Sequence, residues 1–122
     1  MRSVNKLILI GNVGSDPEIR TTAGGTKVAK FSLATSEKRK DKDEQTQWHR
    51  ITCFDKLADL AEEYIRKGDR LYIEGKVEYS RTEGDDGVTR YWTDVIAREL
   101  VMLGGSSKPS EAAEETHRSP FD

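Results

Sequence analysis

Residues 47–75 read QWHRITCFDKLADLAEEYIRKGDRLYIEG, and the spacing of their apolar side chains changes twice. From Gln47 to Phe54 the residues alternate as in a strand, with Ile51 and Cys53 on one face and Trp48, Arg50, Thr52 and Phe54 on the other. Between Asp55 and Gly68 the repeat becomes helical, and Leu57, Leu60, Ala61, Tyr64 and Ile65 form one stripe that can be core. Asp55 stands where it can accept backbone N–H bonds, Arg66 and Lys67 stand at the negative end of the helix, and Gly68 offers a left-handed stop. Alternation then returns in a strand over residues 70–79 that buries Leu71, Ile73 and Val77, and its central Gly75 predicts a bulge or sharp bend.

Outward from this segment the chain reads as further strands. Toward the N-terminus, residues 4–13 open on Leu7, Ile8, Leu9 and Ile10, apolar on both sides as in a strand covered on both faces, and the Gly11–Gly14 stretch ends or bends it. A short extended piece over residues 19–21 leads through the turn Ala23-Gly24-Gly25 to a half-buried strand in which Ala29, Phe31 and Leu33 alternate with Lys30 and Ser32. Residues 36–46 carry no apolar side chain and are expected to form a long exposed loop. Beyond the acidic turn Glu83-Gly84-Asp85-Asp86-Gly87, a last strand over residues 89–103 is apolar on both faces in its second half and must be covered twice. From Gly104-Gly105 onward the composition is Ser, Pro, Glu and Ala without periodicity, which predicts a disordered tail over 105–122 behind a domain of residues 1–104. Five strands with one helix between the third and fourth is the order of the OB-fold, an all-β Greek-key barrel with a single helix, whose face and loops bind oligonucleotides or oligosaccharides. Architecture by itself leaves function open.

The outward face of residues 48–54 is the unusual one. Two large aromatics six residues apart on a strand span roughly 20 Å, with a guanidinium between them, which suits bases stacked on rings and phosphates held by cations. The alternative is that both rings cover a second small core or a subunit contact. The loop residues Lys38, Arg39, Lys40 and Lys42 put four cations beside that strand, where they either track a phosphate backbone or simply solvate the loop together with Asp41, Asp43 and Glu44. Lys6, Arg20, Arg50, Lys56, Lys76, Arg81 and Arg90 are scattered further, and some of them are expected to face the groove.

Composition narrows the function classes. The 122 residues carry 20 Lys+Arg against 22 Asp+Glu, a formal charge of −2, so a polyanion binder built from this chain must segregate its charges by face. Lys108 and Arg118 against Glu111, Glu114, Glu115 and Asp122 make the tail mildly acidic and leave residues 1–104 neutral. No apolar run approaches the roughly 20 residues of a membrane helix, and no secretory signal is read at the N-terminus, so a cytoplasmic location is expected. Cys53 is the single cysteine, which excludes an intrachain disulfide. His49 and Cys53 on one strand would lie about 13 Å apart, too far to share a zinc ion. No phosphate-cradling loop or nucleophile elbow is present either, so neither an enzyme nor a metal or cofactor site is expected.

Several words of the sequence then come together: Val4-Asn5-Lys6-Leu7-Ile8-Leu9-Ile10-Gly11-Asn12-Val13-Gly14, Asp16-Pro17-Glu18, Gln45-Thr46-Gln47-Trp48-His49-Arg50 and Lys67-Gly68-Asp69-Arg70-Leu71-Tyr72-Ile73-Glu74-Gly75. In this order, over nearly all of residues 3–104, they resemble the bacterial single-stranded DNA-binding proteins. The resemblance implies one OB-fold per chain, a homotetramer, sequence-independent wrapping of single strands in the nucleoid, and a tail that recruits replication, recombination and repair proteins. It places stacking aromatics at Trp48 and Phe54. The family's two other tryptophan positions fall on Arg39 and Thr82, which lack rings, and Tyr79 and Trp92 are the candidates to compensate. Alternation puts Tyr79 in phase with the core residues Leu71, Ile73 and Val77, whereas Trp92 stays ambiguous. In the tail, Pro120 and Phe121 match the family's docking pair, but Asp122 follows them and His117-Arg118 stands where acidic residues are usual, which puts partner docking in doubt.

Overall fold

The computed structural model describes residues 2–105. Its strands are β1 (Leu7–Val13), β2 (Glu18–Thr21), β3 (Lys27–Lys38), β4 (Glu44–Phe54), β5 (Asp69–Glu83) and β6 (Thr89–Gly105), with one helix, α1 (Lys56–Tyr64), between β4 and β5. They hydrogen-bond in the order β1-β5-β6-β4-β3-β2, and β3 also pairs with β1. Strands β1, β5, β6, β4 and β3 therefore close a five-stranded barrel, and β2 is added along β3. The contact between β4 and β6 is parallel, with Arg50 opposite Asp94, Ile51 opposite Val95 and Thr52 opposite Ile96. This is the all-β barrel with a helix between its third and fourth strands that the order of elements predicted.

The inward residues of each strand meet in one core. Ala29, Phe31, Leu33, Ile51, Cys53, Leu71, Ile73, Val95 and Ala97 are buried there, and α1 adds Ala58 and Ala61 with Ile65 just beyond its end. Burying the Val, Leu, Ile and Phe side chains among them stabilises by about 1.5–3 kcal/mol each. Lys27 on β3 ties α1 to the barrel through Asp59, at 2.9 Å, and Glu62. Gly75 lies at a register shift between β5 and β6, as the bulge reading predicted, and a Cβ there would meet the Ile96 carbonyl oxygen at 2.1 Å.

Several local expectations are corrected. The polar residues 36–46 are not one long loop: Ser36–Lys38 extend β3, Glu44–Thr46 extend β4, and only residues 39–43 turn. Cross-strand pairing from Ser36–Thr46 to Lys38–Glu44 carries a hairpin beyond the core, where polar side chains are free to face water on both sides. Asp55 makes no capping hydrogen bond from its side chain. The helix ends at Tyr64, and the Arg66 side chain donates to the carbonyls of Glu62 and Ile65, while Gly68 takes its left-handed conformation in the turn that follows. Of the expected stripe, Ala61 and Ile65 are buried and Leu57 and Leu60 pack against the core, joined by Ala58, whereas Tyr64 is exposed.

Two strand faces also differ from expectation. Among the described residues Ile8 in β1 and Val101 in β6 are not covered a second time and stay 52% and 43% exposed. Tyr79 keeps the phase of Leu71 and Ile73 but lies past the end of the barrel, on the arm formed by β5 and β6, so it is 77% exposed instead of core. Among the described residues no helix is long and apolar enough to cross a membrane. The last strand reaches Gly105, and residues 106–122, which carry the expected disordered tail and its Pro120-Phe121 pair, lie outside the described residues.

Candidate nucleic-acid interface

β4 divides the molecule as its alternation implies. Ile51 and Cys53 point into the core, and the thiol of Cys53 is pushed up to about 12 by its removal from water. His49 shares that inward phase, where Thr35 Oγ1 lies 2.9 Å from its Nε2, and partial burial lowers its pKa and favours the neutral ring. On the opposite face Trp48 is 62% exposed and Phe54 is 41% exposed, with Arg50 between them, while Thr52 is buried by its neighbours. Trp48 stands opposite Ala34 of β3, Arg50 opposite Ser32 and Thr52 opposite Lys30. Ala34 and Ser32 are short, and they leave the sheet open beside Trp48 and Arg50.

The indole of Trp48 is seated by Gly14. This glycine donates its N–H to the Ser32 carbonyl at 2.9 Å and presents no side chain to the ring. Gly14 thus serves the site as well as the end of β1, a role its sequence pattern did not reveal. Lys30 was likewise read only as the polar side of β3, yet it is exposed on the face of Trp48 and Arg50 and makes no ion pair among the described residues. Its position in the Ala29-Lys30-Phe31 alternation was the available signal.

Trp92 of β6 joins this face. Arg50 opposes Asp94 in the parallel pair, and Trp48 and Trp92 each stand two residues before that pair on neighbouring strands. The Arg50 Cζ lies 4.4 Å from the centroid of the Trp92 rings, its Nε lies 3.0 Å from Asp94 Oδ1, and Trp92 Nε1 donates to Thr82 Oγ1 at 3.1 Å. Tyr79 is elsewhere: with Arg81 and Tyr91 it occupies the other face of the β5–β6 arm.

The predicted cations are dispersed. Lys38, Arg39 and Lys40 lie at the β3–β4 turn, with Arg39 Nε 3.9 Å from Glu37. Arg39 and Lys42 also line a polar groove with Thr35, Glu37, Gln45 and Gln47. Lys76 and Arg90 are near the Trp92 face and pair with Glu78 at 3.9 Å and Asp86 at 3.6 Å. Arg20 pairs with Glu18 on β2, and Lys6 pairs with Glu74 on the sheet face of Ile8. Lys56 begins α1 and Arg81 lies beside Tyr79, each without an ion pair among the described residues. What the structure brings together is thus Trp48, Arg50, Trp92, Lys30 and Phe54 on one face, flanked by the cationic hairpin turn.

Proteins similar to this chain are known. Residues 4–103 match the sequence profile of the Single-strand binding protein family. A single-stranded DNA-binding protein of Xylella fastidiosa is 50% identical over 110 residues, covering 87% of this chain and 67% of its own length. Another from Xanthomonas axonopodis pv. citri is 47% identical, with 85% and 60% covered. This chain thus spans some three fifths to two thirds of the length of these relatives. Among solved structures, a Plasmodium falciparum SSB in complex with single-stranded DNA superposes with a TM-score of 0.78 at 37% identity, over 84% of this chain and 97% of the other.

Proposed function

The chain belongs to the single-strand binding protein family, and from that premise we propose that it binds single-stranded DNA without regard to sequence, by stacking bases on Trp48 and Phe54. The observation that carries this reading is the exposure of both rings, 62% and 41%, on a strand whose other face is core. Large apolar rings held open to water at fixed positions are binding surfaces in want of flat ligands. Every base has such a face, so stacking at about 1–3 kcal/mol per base tolerates any sequence. Phosphates between the bases are held by Lys30 and by the turn residues Lys38, Arg39 and Lys40, and each neutralised phosphate releases counterions.

A second copy of the chain completes the molecule. Ile8, Ile10, Tyr72 and Val101 share the outer face of β1, β5 and β6, and among the described residues β1 pairs with β3 only at Asn12 and Val13, which leaves the rest of that edge without a strand. Exposed apolar sheet edges are where chains associate, and this one supports the homotetramer. In that form the protein coats and organises single strands in the cytoplasm during replication, recombination and repair, and catalyses no reaction. Recruitment of replication and repair proteins through Pro120 and Phe121 belongs to the same proposal.

Fluorescence titration tests the reading. Poly-dT and a mixed-sequence strand should each quench the tryptophan emission stoichiometrically and with affinities within about tenfold of one another, while a blunt duplex should not compete. Preferential binding of duplex, or magnesium-dependent cleavage of the strand, would overturn it.

A further inference from the structure

We propose that Trp92, held by Arg50 and Thr82, is a third stacking platform that continues the track begun at Trp48. The inference rests on the single-strand reading above and adds a residue to its site. The parallel pairing of β4 and β6 begins at Arg50–Asp94, and Trp48 and Trp92 each stand two residues before that pair, on the same alternation phase of neighbouring strands. Both therefore face outward on the same side of the sheet. A strand of DNA crossing from β4 to β6 meets one ring and then the other.

Trp92 is also oriented in advance. Its Nε1 is spent on Thr82 Oγ1 at 3.1 Å, and the Arg50 guanidinium lies over it at 4.4 Å, yet 37% of the residue remains open. A ring already fixed by its neighbours loses little rotamer freedom when a base settles on it. Arg50 in turn has its charge matched by Asp94 at 3.0 Å, so its role is to hold Trp92 flat rather than to neutralise a phosphate. Arg50 is thus a positioning residue and Trp92 the contact. Tyr79, the other candidate ring, lies on the opposite face of the β5–β6 arm and is not part of this track.

The full chain labelled with 5-fluorotryptophan reports the two tryptophans separately by fluorine NMR, assigned with Trp48→Phe and Trp92→Phe. On addition of oligo-dT both resonances should shift and saturate together. If DNA binds but only the Trp48 resonance moves, this inference fails and the broader reading stands; if neither moves although DNA binds, stacking itself is wrong. Trp92→Ala should lower affinity for a short oligonucleotide several-fold, and Trp92→Phe should recover most of it. Arg50→Ala combined with Asp94→Asn, which leaves no unmatched carboxylate beside the strand, should also weaken binding several-fold while leaving the salt dependence unchanged. A drop in the slope of log affinity against log salt by about 0.7, the value for one single-strand phosphate, would make Arg50 a phosphate contact and overturn the clamp.

Discussion

The indole of Trp48 lies directly against Gly14, so that a Cβ on the glycine would come within 2.3 Å of Trp48 Cζ3 and 2.8 Å of Ser32 Oγ. The platform of β4 is therefore seated by the end of β1, and the absence of one side chain sets the height of the ring above the sheet. Because the clash falls on the far end of an exposed side chain, a methyl group at this position displaces the ring and leaves the core closed.

Gly14→Ala should accordingly keep the thermal midpoint within a few degrees, shift the tryptophan emission maximum, and lower affinity for single-stranded DNA several-fold. Calorimetry and fluorescence on one sample check this. A displaced ring with unchanged affinity would show that the seat does not matter to binding.

Lys30 and Arg39 test the phosphate assignments from two sides of Trp48. Lys30→Ala and Arg39→Ala should each reduce the magnitude of the salt slope by about 0.7, the single-strand value per phosphate neutralised. A slope unchanged in salt titrations of either variant would remove that residue from the path of the backbone.

The reach of the sequence follows from how far each relationship extends. The two faces of β4, the helix after it and the bulge at Gly75 are local patterns, and each is legible in a window of ten or so residues. Alternation misplaces Tyr79 because it continues along β5 past the point where the barrel stops, and the length of the barrel is set by other strands. The polar residues 36–46 hid a hairpin because strands outside a core need no apolar side. Contacts such as Trp48 with Gly14, or Arg50 with Trp92, join residues brought together only by the β1–β3 and β4–β6 pairings, which no local pattern encodes. Trp92 could be named but not placed for that reason.

Cys53 offers a check on the core. Its thiol is fully buried and pushed up to about 12, so it should resist a thiol reagent at pH 8 and react at once in denaturant. In the unfolded chain it ionises near about 8.5. Between that value and about 12 the unfolded state holds fewer protons, and this group's contribution to stability falls as pH rises. The stability advantage of the wild type over Cys53→Ala should therefore shrink above pH 9, measured by chemical denaturation. Rapid labelling under native conditions would contradict the packing of β4.

The apolar outer face of β1 and β6 should govern assembly. Ile8→Glu puts a charge on a surface proposed to be covered by a second copy, at a site 52% exposed in the single chain, so the fold should survive while the mass in solution falls. Light scattering with circular dichroism distinguishes the two effects. An unchanged assembly would move the subunit contact elsewhere.

Trp48→Ala distinguishes a platform for bases from a structural ring. Truncating a core tryptophan costs roughly 3–5 kcal/mol, whereas loss of a stacking platform removes about 1–3 kcal/mol of binding per base. Thermal melting and oligonucleotide titration of the same variant should show a midpoint within a few degrees of wild type, an affinity lower by at least several-fold, and an unchanged salt slope because no charge is lost. A variant that unfolds, or that falls apart into subunits binding DNA as tightly as before, would contradict the account and assign the ring to a core or a subunit contact.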